Sequence, residues 1–378
     1  MKFIHLSDLH IGKKVNEFSM LDDQKYIFTK IIHIIDEQKI DGVWIAGDIY
    51  DKATPSREAV QLFDSFLTRI SEKNIPIFLI SGNHDAAERI AFGAKLMHKS
   101  KVYVSPIFDG KITPILQKDE YGEIAIYMLP FIKPASVRPF YQNATIESYN
   151  DAVKTVIEHM EIQPKRRNVL IAHQFVTGAQ KSESEDISVG GIDNVDTFVF
   201  DAFDYVALGH IHRPQHIGRE TVRYCGTPLK YSFSEVNHKK SVSIITLKQK
   251  GDILIEEIEL IPKRDMCEIK GFYEELVSLS YYKDINTENY MHITLKDEDD
   301  ILDAIGKLRN IYPNIMRLDY DNKRTQTNQK IIHTENIENK TPLQLLQEFY
   351  ELQNNCPMSE EQIEFSSNVM EKIWEEKE

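Results

Sequence analysis

The feature that most limits what this chain can fold into is an alternation in its first half. Three short apolar runs, FIHLSD (3–8), GVWIAGD (42–48) and IPIFLISGN (75–83), read as buried strands. Two longer segments with helical spacing separate them. In residues 19–39, Leu21, Ile27, Ile31, Ile34 and Ile35 recur on one face; in residues 56–73, Val60, Phe63, Phe66, Leu67 and Ile70 do so. Strand–helix–strand–helix–strand requires right-handed crossovers and parallel pairing. Later runs at 123–130, 168–174, 204–212, 222–226, 241–248 and 252–260 add sheet with less helix. The expected class is α/β, a two-sheet αββα sandwich.

The sheet-forming part is expected to fill residues 1–262. Pro262 and Lys263–Arg264 mark a change, and residues 263–322 read as a small β-α-β-α-β unit. Residues 323–340 are polar and aperiodic, as in a linker. Residues 341–378 then carry two helix starts. Thr341-Pro342 is an N-cap followed by proline at the first helical position, and Ser359 with Gln362 fits a capping box. Apolar faces follow at Leu343, Leu346, Phe349 and Tyr350, then at Ile363, Val369 and Met370.

Charge narrows the function. The net charge is −14, which argues against a broad basic surface for nucleic acid. From Glu335 to Glu378, however, 11 Glu stand against 3 Lys, so more than half of the excess lies in the tail and basic patches remain open to the body. Cys225, Cys267 and Cys356 are few, odd in number and far apart, which fits a reducing cytoplasm better than a disulfide framework. The N-terminal MKFIHLSDLH has neither the apolar stretch nor the cleavage site of a signal peptide, and no window is long enough for a membrane span.

The chemistry is concentrated where strands end. Asp8-Leu-His10, Gly47-Asp48, Gly82-Asn83-His84-Asp85, His173 and Gly209-His210-Ile-His212 each close an apolar run. In sheets of this kind the loops after the carboxyl ends of strands converge on one crevice. Five distant segments are therefore expected to share a pocket. Its imidazoles and hard oxygens, without thiolate, suit Mn, Fe or Zn better than Mg or Ca alone. In D-x-H and H-x-H the outer residues point to one side, so each pair offers two ligands. Seven residues supply eight contacts to two metals if one carboxylate bridges, and Asp48 is the natural bridge. Taken singly, each element has a plainer reading as a turn, a helix cap or a core histidine. Five of them in this order at strand ends do not.

This order, D-x-H, GD, GNHD, a lone His and GHxH, resembles the calcineurin-like metallophosphoesterase superfamily. The stretches HLSDLHIGK, GDIYD, SGNHDAAERIAFGAKLM, SESEDISVGGID, FDYVALGHIHRPQ and YCGTPLKYSFSE look like the SbcD-type nucleases, bacterial counterparts of the MRE-type DNA-repair nucleases. Ala86 and Thr227 depart from the commonest pattern without removing a ligand. The resemblance implies two divalent ions, manganese foremost. Asp8, His10, Asp48 and His212 would hold one; Asp48, Asn83, His173 and His210 would hold the other. His84 would be the catalytic acid. Asp85 either orients His84 or caps the following helix, and Asp51 either orients a ligand or caps a turn. Arg89, Lys13, Lys14 and Arg57 are the candidate DNA contacts, with Arg89 first.

The resemblance further implies a DNA nuclease subunit, acting as a double-strand 3′–5′ exonuclease and a single-strand or hairpin endonuclease. It implies a capping domain at 263–322 and a helix-loop-helix at 341–378 that binds an SbcC-type SMC-like ATPase. A homodimer through the first domain is also implied. The alternative is a small-molecule phosphodiesterase or phosphatase on the same scaffold.

Overall fold

The computed structural model describes residues 1–185, 194–299, 301–322, 341–354 and 356–375. The expected linker at 323–340 and the later part of the SESEDISVGGID stretch, 186–193, lie outside them. The chain divides into two compact units, Met1–Asp265 and Met266–Glu378.

The first unit holds two six-stranded sheets. One runs, edge to edge, Ile253–Glu259, Ser241–Leu247, Lys2–Leu6, Gly42–Ala46, Ile77–Ile80 and Val102–Val104. The last four are parallel, as the crossovers require, and Ser241–Leu247 and Ile253–Glu259 add antiparallel at the other edge. The other runs Gln215–Ile217, Arg219–Tyr224, Tyr205–Gly209, Arg167–His173, Gly122–Leu129 and Ile115–Asp119. Its four inner strands are parallel. Three short edge strands, Val102–Val104, Ile115–Asp119 and Gln215–Ile217, were not evident in the sequence, because runs this short carry no clear period.

Strand alternation builds the layers. Ile124, Ile126 and Met128 share one core with Phe3, Trp44, Phe78, Val169, Ile171 and Tyr205, and so lie between the sheets. Ala125, Tyr127 and Leu129 share another core with Ala152, Val153 and Val156 of the helix Tyr149–Glu158. On the first sheet the helices Leu21–Glu37 and Arg57–Ser71 pack together, with Phe28 stacked on Phe66 at 4.6 Å. The sequence places Val60 on the buried face, but it is 42% exposed; Ala59, Phe63, Phe66 and Ile70 form that face. Phe63, Phe66 and Ile70 keep the expected phase, in which Ala59 and not Val60 continues the face; Ser56 caps the helix, its hydroxyl accepting from the Ala59 N–H.

The second unit contains a parallel three-stranded sheet, Met266–Gly271, Tyr290–Leu295 and Ile315–Tyr320. His292 on the middle strand lies 2.8 Å from both Glu268 and Asp319 on its neighbours. The expected N-cap at Thr341 and capping box at Ser359 both form, and Thr341 proves to be a capping box as well: Gln344 N–H donates to Thr341 Oγ1 and Gln362 N–H to Ser359 Oγ, while the Gln344 and Gln362 side chains accept from the Thr341 and Ser359 N–H groups, starting the helices Pro342–Asn354 and Glu360–Glu375.

One close approach locks the two sheets of the first unit in register. A Cβ on Gly209 would lie 1.9 Å from the Ala46 carbonyl oxygen and 2.7 Å from His173 Nδ1. Gly209→Ala is therefore expected to lower stability by about 3 kcal/mol, an overpacking penalty against rigid backbone. Urea unfolding, followed by its midpoint, checks this.

Candidate metal centre

The strand ends place the site. Beyond the paired strands, backbone hydrogen bonds continue from Asp8 N–H to Gly47 O, from His10 to Asp48 O and from Ile11 to Ile49 O. These bonds zip the loop after Lys2–Leu6 onto the loop after Gly42–Ala46. The D-x-H and GD residues are thereby held in adjacent rows. Asp8, His10, Asp48 and His210 all adopt positive φ, at 51°, 42°, 48° and 105°. Such backbone conformations cost about 1–3 kcal/mol each in non-glycine residues and persist where the surroundings over-determine them.

The side chains converge. Asp8, His10, Asp48, His173, His210 and His212 are all buried, and Asn83 and His84 are partly so. His10 Nε2 lies 3.1 Å from His212 Nε2. Asp48 Oδ2 lies 3.3 Å from His173 Nε2 and 3.8 Å from His10 Nε2. Asn83 Oδ1 lies 3.0 Å from His173 Nε2 and 2.9 Å from His210 Nδ1. A metal bonded at about 2.1 Å holds adjacent donors roughly 3.0–3.4 Å apart. Most of these contacts have that spacing, and the donor set contains no thiolate, so the residues fit divalent cations. Asp8 with His10 and His212, and Asp8 with Asp48 and His173, form compact triads, as do His10, Asp48 and His84.

Asp48 is central to this cluster. Burial opposes its ionisation, but His173 and His10 beside it hold its pKa far below the carboxylate range. Burial likewise opposes charge on His173, yet the Asp48 and Asp8 carboxylates win and raise it to about 9. Asp48 and His173, 3.3 Å apart, thus each favour the charged form of the other. Burial pushes Asp8 up to about 6, against the pull of His173 and His212. Burial lowers His10 well below its usual range, and burial with the neighbouring His173 lowers His210 to about 3.

Several candidates take places that the sequence does not give. Asp85 does not cap the following helix, Ala87–Ile90, which has no side-chain cap. Its carboxylate accepts from the N–H groups of Ile49, Tyr50 and Gly82, at 3.1, 3.0 and 2.9 Å. It therefore ties the GNHD loop to the GD loop and positions the site as a whole. The ring of His84 is instead directed by a carbonyl, with Nδ1 3.1 Å from Asp51 O. The Asp51 side chain is 2.9 Å from Lys13 Nζ, so Lys13 enters an ion pair and is not an unengaged surface cation. Lys14, Arg57 and Arg89 are exposed. His5 is buried, with Nδ1 3.2 Å from Tyr205 Oη, and belongs to the core between the sheets.

Behind His212 lies a group that sequence reasoning missed: Ser184, Glu185, Glu235 and Lys240. Glu235 and Lys240 are buried and paired. Gln24 is equally unforeseen; its amide donates to the carbonyls of His10 and Leu9 and to Tyr231 Oη. An apolar helix face interrupted by an inward glutamine was the available signal for Gln24.

The sign of the pH dependence follows from the Asp48–His173 pairing. A metal ligand must be deprotonated, so a cation competes with the His173 proton below about 9. Metal affinity is expected to rise with pH up to that point and then level. Near neutral pH, binding should release a proton from this histidine; calorimetry in buffers of different ionisation enthalpy measures it.

The chain resembles known proteins over most of its length. Residues 1–214 match the calcineurin-like phosphoesterase family, and residues 262–354 match the type 5 capsule protein repressor C-terminal domain family. The chain is 35% identical over 322 residues to the SbcD chain of the SbcCD nuclease of Staphylococcus epidermidis, covering 84% of this chain and 85% of that one. Among solved structures, a dimetal phosphatase from Danio rerio aligns with TM-score 0.44 at 10% identity, over 69% of this chain and 96% of its own. A Thermus thermophilus protein aligns with TM-score 0.38 at 11% identity, over 68% and 98%. The chain belongs to the SbcD nuclease family of calcineurin-like phosphoesterases and is a metal-dependent phosphodiesterase.

Proposed function

We propose that the chain is the nuclease subunit of an SbcCD-type DNA-repair complex, hydrolysing DNA as a double-strand 3′–5′ exonuclease and a single-strand or hairpin endonuclease. The observation that carries this reading is the convergence of Asp8, His10, Asp48, Asn83, His173, His210 and His212 at metal-ligand spacing. Asp8, His10, Asp48 and His212 would hold one ion; Asp48, Asn83, His173 and His210 would hold the other. Two divalent ions bound there, Mn²⁺ by preference, would lower the pKa of water and supply local positive charge for a phosphoryl group in a chain of net charge −14.

The other steps belong to the chain. The His84 N–H donates to Asp48 Oδ1 at 2.9 Å, which fixes the GNHD loop against the bridging carboxylate. A carbonyl only accepts, so the contact with Asp51 O keeps a proton on His84 Nδ1. Nε2, 3.9 Å from Asp48 Oδ2, is then the atom that takes up a second proton, and the imidazolium so formed would pass it to the leaving oxygen and return to the Nδ1–H form. Arg89, Lys14 and Arg57, all exposed, are the backbone-phosphate contacts.

Two surfaces support assembly. The helices Leu21–Glu37 and Arg57–Ser71 border a groove of about 380 Å³, its apolar floor of Leu21, Phe28, Leu62 and Phe66 rimmed by Asp22, Lys25, Glu58, Gln61, Ser65 and Arg69, which suits pairing of two copies. In the tail, Phe349 and Phe365 are 60% and 71% exposed. Two short helices are marginal in water without apolar burial, so these faces suit the SbcC-type ATPase. Among the described residues no helix is long and apolar enough to cross a membrane.

Cleavage of end-blocked linear duplex DNA with Mn²⁺, Mg²⁺ or EDTA tests the reading, with bis(p-nitrophenyl) phosphate alongside. His84→Ala should retain both metals and lose about 10²–10⁴-fold in DNA cleavage. Loss of the metals in this variant would make His84 a ligand and overturn the assignment. Hydrolysis of the small diester with no DNA cutting, with or without the ATPase, would favour a small-molecule phosphodiesterase. Deleting residues 341–378 should abolish capture of the SbcC-type ATPase while leaving Mn²⁺-dependent hydrolysis of the diester; an unchanged pull-down refutes the tail's role.

A further inference from the structure

The candidate ligand histidines differ in what lies behind them. His173 directs Nδ1 to a main-chain carbonyl, Ala46 O, at 2.7 Å. His10 Nδ1 is buried with no partner at hydrogen-bond distance, and the Asp51 carboxylate lies 3.9 Å behind it. His212 is held at three atoms by side chains distant in sequence. Its N–H donates to Glu185 Oε1 at 2.8 Å. Its carbonyl accepts from Lys240 Nζ at 2.8 Å. Its Nδ1 lies 2.6 Å from Ser184 Oγ. Ser184 in turn donates to Glu235, and Glu235 is paired with Lys240, which also donates to Thr227 Oγ1 at 2.7 Å. His212, Glu235 and Lys240 are all buried.

Proton counting gives this chain a direction. Glu235, salt-bridged to an ammonium, is an acceptor at both oxygens. The single Ser184 hydroxyl proton therefore goes to Glu235; Ser182 Oγ, 2.9 Å from Ser184 Oγ, donates its own proton to Glu185 Oε2 at 2.8 Å, so the Ser184 oxygen is left to accept from His212. His212 must then carry its proton on Nδ1 and present a lone pair at Nε2, the atom 3.1 Å from His10 Nε2.

We propose that Ser184 and Glu235 are positioning residues that fix the tautomer and orientation of His212, with Glu185 and Lys240 clamping its main chain, and so tune the affinity of one of the two metal positions selectively. This rests on the reading of His212 as a metal ligand. The other position draws on His173, whose support is main chain and cannot be varied by side-chain replacement. The two positions therefore differ in how far the surrounding side chains set their strength. A carboxylate acting on a ligand histidine raises its basicity, and removing such a partner typically weakens metal binding about 10–100-fold. Ser184 inserts a hydroxyl into that arrangement.

The test uses the full chain and the variants Ser184→Ala and Ser184→Thr. Mn²⁺ titration by calorimetry reads the two affinities, and long-range ¹H–¹⁵N spectra of histidine-labelled, metal-free protein read the His212 tautomer. Thermal melts establish that both variants fold. In Ser184→Ala, one of the two affinities should fall about 10–100-fold while the other is retained, and His212 should lose its pure Nδ1–H form. Ser184→Thr, which keeps a hydroxyl, should restore both readouts. Unchanged affinities, equal weakening at both positions, or no rescue by threonine would overturn the proposal. Wild-type protein that binds no Mn²⁺ would instead refute the metal reading on which it stands.

Discussion

The rest of the site depends on the burial of the Asp48 carboxylate among histidines. A carboxylate with no water is costly unless charge and hydrogen bonds surround it. Here His173 supplies the charge at 3.3 Å, and the His84 N–H supplies a hydrogen bond to the other oxygen. Gly82 makes this possible, since a Cβ there would lie 2.1 Å from Asp48 Oδ1. The positive φ of Asp48 aims the group inward at a conformational cost that the neighbouring zipper of loop hydrogen bonds sustains.

The scaffold is rigid where the chemistry needs rigidity. Candidate ligands come from both sheets: Asp8, His10, Asp48 and Asn83 follow strands of one, and His173, His210 and His212 end or follow strands of the other. Their distances are therefore set by how the sheets face each other. The Phe3–Trp44 stack at 4.5 Å and the Trp44–Tyr205 stack at 5.6 Å belong to the core that fixes this spacing. The contact of Gly209 with Ala46 continues it to the edge of the site. Asp85 carries the same logic into the loops, binding three N–H groups from two segments with one carboxylate.

The tail helices start at local capping boxes, which need nothing beyond four consecutive residues, and they retain exposed aromatic side chains. Local start signals with unburied faces are what a partner-seeking segment requires, because its stability then depends on burial against another chain.

Much of this protein was legible in the order of its residues. The three apolar runs and two helical segments dictated parallel pairing, since a crossover helix admits no other short connection. The polar clusters Asp8-Leu-His10, Gly47-Asp48, Asn83-His84, His173 and His210-Ile-His212 marked the strand ends, because such groups cannot continue a dry strand. The tail helix starts were equally local. Tertiary structure alone decided what stands behind those groups. Nothing near Asp85 in sequence indicates that it accepts from Ile49 and Tyr50, nothing near Lys13 points to Asp51, and nothing near His212 points to Ser184, Glu235 and Lys240. The physical reason is range. Periodicity and capping act over a few residues of one element, whereas hydrogen bonds between loops depend on where two sheets bring their ends, which no single segment encodes.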